Sequence, residues 1–572
     1  MPDDRNPESS LRARLLFAAG IAALANGLVW IYFRQERFVY FWDYANYWNL
    51  FQHYTALGAE GLRPVLRECI GSVRYGEYNG LPVMPLIPIG MIFGTSRGVF
   101  LLALVNVYAL PAAFLGAVAA SRLHPENRVA AFRLALGWIL LSIVFWFALL
   151  RGMVAVGGLI AAWGAMALCF DRPLARWGWK RTCALALLLL ALCLYRRFFL
   201  FWVIAFFPAA LLAECLRESD WRGRLLAIRT LVATGLLSAA GFCLLAWPQV
   251  EYMFAADVGG TFKIYRQHDN PLMYILEWAK FTGFLSFAAM AAGMVIGLRS
   301  ERLRATTAFL ATHFLLVVVL FGSIQMFEKH HFLLLYSTAM PLAVIALVSL
   351  WRRARVAGRV LLALLAFSSA HATIPPLARA LPFLSPALSG WQATPLVRPD
   401  FDELGRLMAA LDALPGAADE ETGVYILSSS DVLSDEIARA FRRLTPARPQ
   451  AARLRATAHK DAPRFGFPSE LLRARYVVLA DPLQRHLNSP NAQIVLRVPY
   501  ELIRSGEGFG AAFTALPETF RLDRDVTVRL YERRAPFTSA QVESLREAFM
   551  TAAGLPDANE YSFPPPPEAP AP

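Results

Sequence analysis

Charge is scarce in this sequence. Only 17% of its 572 residues are charged, against 56% hydrophobic, and the mean hydropathy is +0.42. Soluble domains carry about a quarter charged residues, so an ordinary soluble chain is excluded. Cysteine is scarce too. Of Cys69, Cys169, Cys183, Cys193, Cys215 and Cys243, all but Cys69 lie in or beside apolar runs. They show neither metal-ligand spacing nor a disulfide framework. The N-terminus, "MPDDRNPESSLRARLLFAAGIAALANGLVWIYF", lacks a small-residue cleavage site after a short apolar core, and it reads as a retained first helix. No internal repeat is visible.

What is abundant is apolar sequence long enough to cross a bilayer. Spans are expected near 12–33, 98–120, 134–150, 153–170, 182–195, 198–213, 230–249, 281–298, 305–324, 332–350 and 358–373. That makes eleven, with tight hairpins turning at Arg151-Gly152 and Arg196-Arg197. The net charge of +13 invites a nucleic-acid partner, but the basic residues fall in short clusters between apolar runs. "SRLHPENRVAAFR", "DRPLARWGWKR", "ECLRESDWRGRLLAIR", "RSERLR" and "WRRARVAGR" all fall on the side of the N-terminus if both hairpins count as two spans. Cytoplasmic loops collect Lys and Arg. The expectation is therefore a cytoplasmic N-terminus, an outward C-terminus and no nucleic-acid partner.

Three regions would then face outward: the first loop 34–97, the loop 250–280, and everything after about 374. Residues 1–375 form the expected membrane domain. The tail differs in kind. "GVYILSSS" and "RYVVLAD" read as short buried strands, and "DEIARAFRRL" and "DFDELGRLMAALDAL" as amphipathic helices. Residues 395–540 are expected to form a small periplasmic α/β domain, followed over 541–572 by a helix and a Pro-rich tail.

The outward stretch "FVYFWDYANYWNLFQHY", 38–54, holds nine aromatic residues and one carboxylate, Asp43. Tyr44, Tyr47, Trp48, Phe51 and Tyr54 follow Asp43 at roughly helical spacing, as in an interfacial helix with its rings at headgroup depth. Asp43 can be a helix cap or a catalytic carboxylate. In "YRRFFLFW", Arg196 and Arg197 sit at a hairpin tip, either snorkelling or gripping phosphate with their planar forks. "FEKHHFLLLY" puts Lys329, His330 and His331 at another boundary, as a cationic clasp or as ordinary boundary polarity. The adjacent histidines are expected to point in different directions, away from a shared metal. Glu77 precedes "LPVMPLIPIGMIF", where Pro82, Pro85 and Pro88 forbid a regular helix. Glu77 is a second acidic candidate or a solvated loop residue.

In order along the chain, "FWDYANYW", "EYNGLPVMPLIPIGMIFGTSR", "RRFFLFW" and "EKHHFLLLY" resemble the GT-C glycosyltransferases. The resemblance is to the branch containing protein O-mannosyltransferases, lipid A aminoarabinose transferases and Rgt-like galacturonosyltransferases, and it covers most of residues 10–375. It implies a GT-C-like α-helical polytopic protein of a bacterial inner membrane. The implied activity is inverting transfer of a hexosyl or pentosyl group from a polyprenyl-phosphate-linked donor to a glycan, lipid or protein. The family's first-loop Asp, the proposed catalytic base, corresponds to Asp43, with Glu77 as the further acidic residue. Arg196, Arg197, Lys329, His330 and His331 would meet the donor phosphate. Tyr44, Tyr47, Trp48, Tyr78 and Asn79 would line the substrate. Many relatives carry an acidic pair where this chain has Asp43-Tyr44, so no cofactor is implied with certainty and a divalent metal is doubtful. The competing readings are a flippase or transporter for lipid-linked glycans and a non-catalytic envelope assembly protein. A transporter should show charged residues within spans or related halves, and the sequence shows little of either.

Overall fold

The computed structural model describes residues 7–76, 78–255, 265–384, 388, 392–419, 422–444, 451–457, 468–487 and 493–553. Glu77 lies outside these residues. The chain divides into two units, one of Met1–Gln35 with Asp43–Pro395, the other of Glu36–Trp42 with Leu396–Pro572.

The first unit is helical. Among the described residues, eight helices are long and apolar enough to cross a membrane, or up to ten if two bent pairs each count as one span. The bent pairs, Pro125–Leu140 with Ile143–Leu150 and Met273–Thr282 with Phe284–Arg299, cover two of the expected spans. The eleventh expected span falls on Trp179–Tyr195, 17 residues whose first turn carries Lys180 and Arg181. Both expected turns form. The Arg151-Gly152 turn needs its glycine: φ is +75° there, and a Cβ would stand 2.1 Å from an Arg97 nitrogen.

The expected helix also forms, as Asp43–Glu60, and three of its rings face protein. Tyr47, Phe51 and Tyr54 are at most 2% exposed. Phe51 stacks near Phe100 with centroids 5.3 Å apart. Burying such a ring is worth about 1.5–3 kcal/mol, and protein rather than lipid covers this face. The proline-rich stretch departs from expectation. Met84–Leu86 form a 3₁₀ turn, and Ile87–Phe93 an α-helix with Pro88 in its first turn. Proline is tolerated there because its missing N–H would have no helical partner.

The second unit is a four-stranded sheet between helices. Strands β1 (Val424–Leu427), β2 (Tyr476–Asp481), β3 (Phe513–Leu522) and β4 (Val526–Arg533) lie in the order β1-β2-β4-β3. β1 and β2 are parallel, with Val424 opposite Tyr476, while β4 runs antiparallel to both β2 and β3. Alternate residues serve opposite faces. Val424, Ile426, Tyr476 and Val478 pack with Leu407 and Phe441, whereas Tyr425, Leu427, Val477 and Leu479 pack with Val495 and Phe549. The first of these cores also takes Val39 and Phe41. Arg37 N–H donates to the Leu396 carbonyl at 2.9 Å, and Arg398 N–H donates to the Arg37 carbonyl at 2.8 Å. Glu36–Trp42, read in the sequence as the start of the first loop, thus belongs to this unit.

Candidate functional site

Asp43 is the first residue of the Asp43–Glu60 helix and is half-buried. Trp42 before it holds a left-handed backbone, φ 44°, rare for a bulky residue. The Trp42 ring packs edge-on against Phe41 at 5.1 Å and lies 5.2 Å from that of His486. Within the first unit, Arg97 ties the helix start down. Its guanidinium donates to the Tyr44 carbonyl and to the Arg151 carbonyl, both at 2.8 Å. Arg97 is 4% exposed, so these bonds form where water cannot compete.

Tyr78 comes from the loop after Leu62–Tyr75, and its hydroxyl donates to the Asp43 carboxylate. The Tyr78 ring meets Tyr47 in a T at 5.8 Å. Arg196, at the tip between Trp179–Tyr195 and Phe199–Arg217, completes the group. Its guanidinium carbon lies 4.9 Å from the Tyr47 ring centroid, 5.1 Å from Phe198 and 5.3 Å from Tyr78. Part of Arg196 stays accessible while protein atoms crowd its guanidinium. That burial opposes its charge, but Tyr47, Asp43 and Tyr78 outweigh it and raise its pKa above the ordinary value. Burial likewise raises the Tyr47 phenol, against the pull of Arg196. The result is a carboxylate, two phenols and a guanidinium packed together, with the guanidinium held firmly charged.

The 323–332 segment approaches the same group. Contrary to expectation, His330 and His331 do not diverge: their centroids are 3.9 Å apart. They lie in the turn before Leu333–Arg353, where the 100° step of a helix does not apply. Phe198 is 5.0 Å from His331 and 6.1 Å from His330. Burial, then the nearby Arg196, pushes His330 down to about 3. Burial, His330 and Arg196 hold His331 well below its usual range against the pull of Asp43. Burial thus disfavours the charged form of both imidazoles. A neutral imidazole still offers one donor and one acceptor.

Lys329 lies 5.6 Å from the Phe147 ring centroid, and the Arg151 guanidinium lies 5.4 Å from the same ring. Burial and then Arg151 lower the Lys329 pKa, with Glu328 opposing. Glu328, just before Lys329 in the chain, feels the charge of Asp43. It keeps an accessible surface while protein atoms crowd around it, as in a recess. That crowding, reinforced by Asp43 and offset by Lys329, raises its pKa. Glu328 is thus a further carboxylate that senses the charge of Asp43.

Other expected lining residues have structural bonds. Trp48 donates its indole N–H to the Thr95 carbonyl at 2.9 Å, and Asn79 donates to the Leu194 carbonyl at 2.9 Å. Arg197 occupies the tip beside Arg196 and is half-buried. Among the described residues, no group of three or more His, Cys, Asp or Glu is placed to hold a metal ion.

Comparison with known proteins gives similarity to two crystal structures of ArnT from Cupriavidus metallidurans. The one bound to undecaprenyl phosphate is 13% identical with a TM-score of 0.46, covering 91% of this chain and 98% of that chain. The one in the apo state is 13% identical with a TM-score of 0.47, covering 94% and 99%. Likeness at that level assigns no residue of this chain a role. No family model matches, and no curated protein does.

Proposed function

We propose that this protein is a membrane glycosyltransferase. It moves a sugar, with inversion, from a polyprenyl-phosphate carrier to a hydroxyl of an envelope glycan, lipid or protein. The carrying observation is the cluster itself: Asp43 held by the Tyr78 hydroxyl, with Arg196 stacked over Tyr78 and Tyr47.

The chemistry asks for little more. The acceptor oxygen bonds to the anomeric carbon as the bond from that carbon to the carrier phosphate breaks. The phosphate leaves with the bonding electrons, and the hydroxyl proton goes to Asp43. Phosphate is already a good leaving group, so one base suffices, unlike glycoside hydrolysis with its two carboxylates. Tyr78 occupies one Asp43 oxygen and so turns the other toward the acceptor. Arg196, with Arg197 beside it, balances the charge that develops on the departing phosphate. Neutral His330 and His331 supply hydrogen bonds without adding charge. On the basic-loop argument, the cluster faces the periplasm of a bacterial inner membrane and the N-terminus is cytoplasmic.

The test is reconstitution of the full chain in liposomes with a radiolabelled polyprenyl-phosphate sugar on the outer side. The expected result is label in an acceptor hydroxyl, with equimolar release of the carrier phosphate. Label that crosses the bilayer still attached to its carrier, with no release, would identify a flippase instead.

A further inference from the structure

The helices Gly158–Asp171, Phe199–Arg217 and Arg304–Gly322 each have one end toward the Asp43 cluster. Tyr195 Oη donates to the Val154 carbonyl just before the first, Arg196 precedes the second, and His331 lies 4.8 Å from Phe321 at the end of the third. Their opposite ends enclose a cavity of about 250 Å³. Arg122, Arg128, Arg172, Arg217 and Arg302 line it, with Asp171 as the one acidic group in its wall. The helix Arg304–Gly322 has 19 residues, a length of roughly 28 Å at 1.5 Å per residue. That is close to the hydrocarbon thickness of a bilayer, about 30 Å. The cavity therefore lies at the far membrane interface and is no part of the Asp43 cluster.

Three of the arginines build its wall. Arg217 donates to Glu214 at 2.7 Å and to Thr306 Oγ1 at 2.8 Å. Arg302 donates to Glu126 and, at 2.8 Å, to the Leu123 carbonyl, and Arg122 donates to the Ala167 carbonyl at 2.5 Å. Asp171 is taken by Arg181 at 2.7 Å. The other two arginines are not committed in this way. Among the described residues, Arg128 makes no side-chain hydrogen bond or ion pair, and Arg172 reaches only Asp171, at 4.0 Å. Glu214 and Glu126 offset Arg217 and Arg302, which leaves Arg122, Arg128 and Arg172 as excess positive charge around the cavity, and a bound anion relieves their repulsion. Planar forks of donors suit the oxygens of a phosphate. Leu123, Phe170 and Leu303 give the same wall an apolar part, as a headgroup continuous with acyl chains requires. Basic recesses between membrane helices recognise acidic headgroups in this way.

We propose that this cavity binds the phosphate of an anionic phospholipid in the leaflet opposite Asp43. The site is independent of the transfer reaction.

The test uses the full chain purified in detergent, with lipid retention measured by native mass spectrometry as phosphatidylglycerol or phosphatidylcholine is added. The wild type is expected to retain phosphatidylglycerol in preference. In Arg128→Gln/Arg172→Gln that retention should weaken by at least about tenfold, the loss of one charge-assisted bond or more, while phosphatidylcholine retention stays the same. Neither residue makes a bond that builds the wall, so folding is expected to survive. Arg172→Gln alone, at a side chain 65% exposed, reads the same effect at about threefold if the pair disturbs folding. Phosphatidylglycerol retention unchanged in these variants overturns the proposal. So does inorganic phosphate that binds as tightly as the lipid and displaces it at millimolar concentration, because the source would then be soluble phosphate.

Discussion

Two hairpin tips carry arginine, and the structure uses them in opposite ways. Arg151 is 5% exposed and donates to the Tyr32 hydroxyl at 2.8 Å and the Thr394 carbonyl at 2.9 Å. Its own carbonyl accepts from Arg97. Arg196 is held instead by the rings of Tyr47, Phe198 and Tyr78 and by the charge of Asp43. Carbonyl acceptors fix a guanidinium by consuming its donors. Ring faces fix its plane and leave donors at its edge for a ligand. Both tips are Arg-containing turns in the sequence, but only the second holds its guanidinium by ring faces rather than by carbonyls, as the proposed phosphate contact requires.

The sharpest way to break this contrast is to remove each arginine. Arg151→Ala removes two charge-assisted hydrogen bonds from a buried site, while Tyr32 Oη keeps its bonds to the Ala393 and Thr394 carbonyls; it should cost about 2–4 kcal/mol of stability, seen as a lower Tm of the purified protein. Arg196→Ala should leave Tm near wild type and weaken donor binding at least about tenfold. If Arg196→Ala melts the protein and Arg151→Ala spares it, the contrast is reversed. A smaller effect sharpens it: Arg196→Lys keeps the charge but loses the fork, so turnover should fall about threefold to tenfold. Tyr78→Phe removes one hydrogen bond to Asp43 and should lower turnover about fivefold at unchanged donor affinity.

The smallest expected effect concerns pH. The Glu328 pKa is raised by crowding and by Asp43. A carboxyl whose folded pKa is raised contributes stability that is full below the ordinary Glu range and is lost as pH rises through the folded value. Glu328→Gln should match wild type in melting at acid pH and exceed it at neutral pH. Equal melting at both would remove Glu328 from the recess.

Much of the helical part was legible because its signals are local. Apolar length marks the spans, and Arg-Gly and Arg-Arg mark the turns. The strands β1 and β2 were visible as compact apolar runs. β3 was not, because "FTALPETFRL" is largely exposed and its pairing shifts register between Ala515 and Thr519. Nothing local could show that Val39 and Phe41 pack with residues near 404–441, since that is a long-range contact. Helical spacing put Tyr47, Phe51 and Tyr54 on one face, but spacing alone does not say whether lipid or protein covers it. In the site, Asp43, Arg196 and the His330-His331 pair were readable from their positions at helix boundaries. The pairing of Tyr78 with Asp43 was not, because 35 residues separate them. The burial that disfavours charge on the histidines is not shown by the sequence.

In the proposed reaction Asp43 takes the acceptor's proton, and Asp43→Asn removes that capacity alone. Asn keeps the size and much of the hydrogen bonding of Asp but removes the charge that accepts a proton. Transfer should fall by at least about a hundredfold, a typical general-base contribution, while donor binding and Tm stay near wild type. An Asn variant that transfers sugar at close to the native rate would contradict the account and make Glu328 the next carboxylate to change.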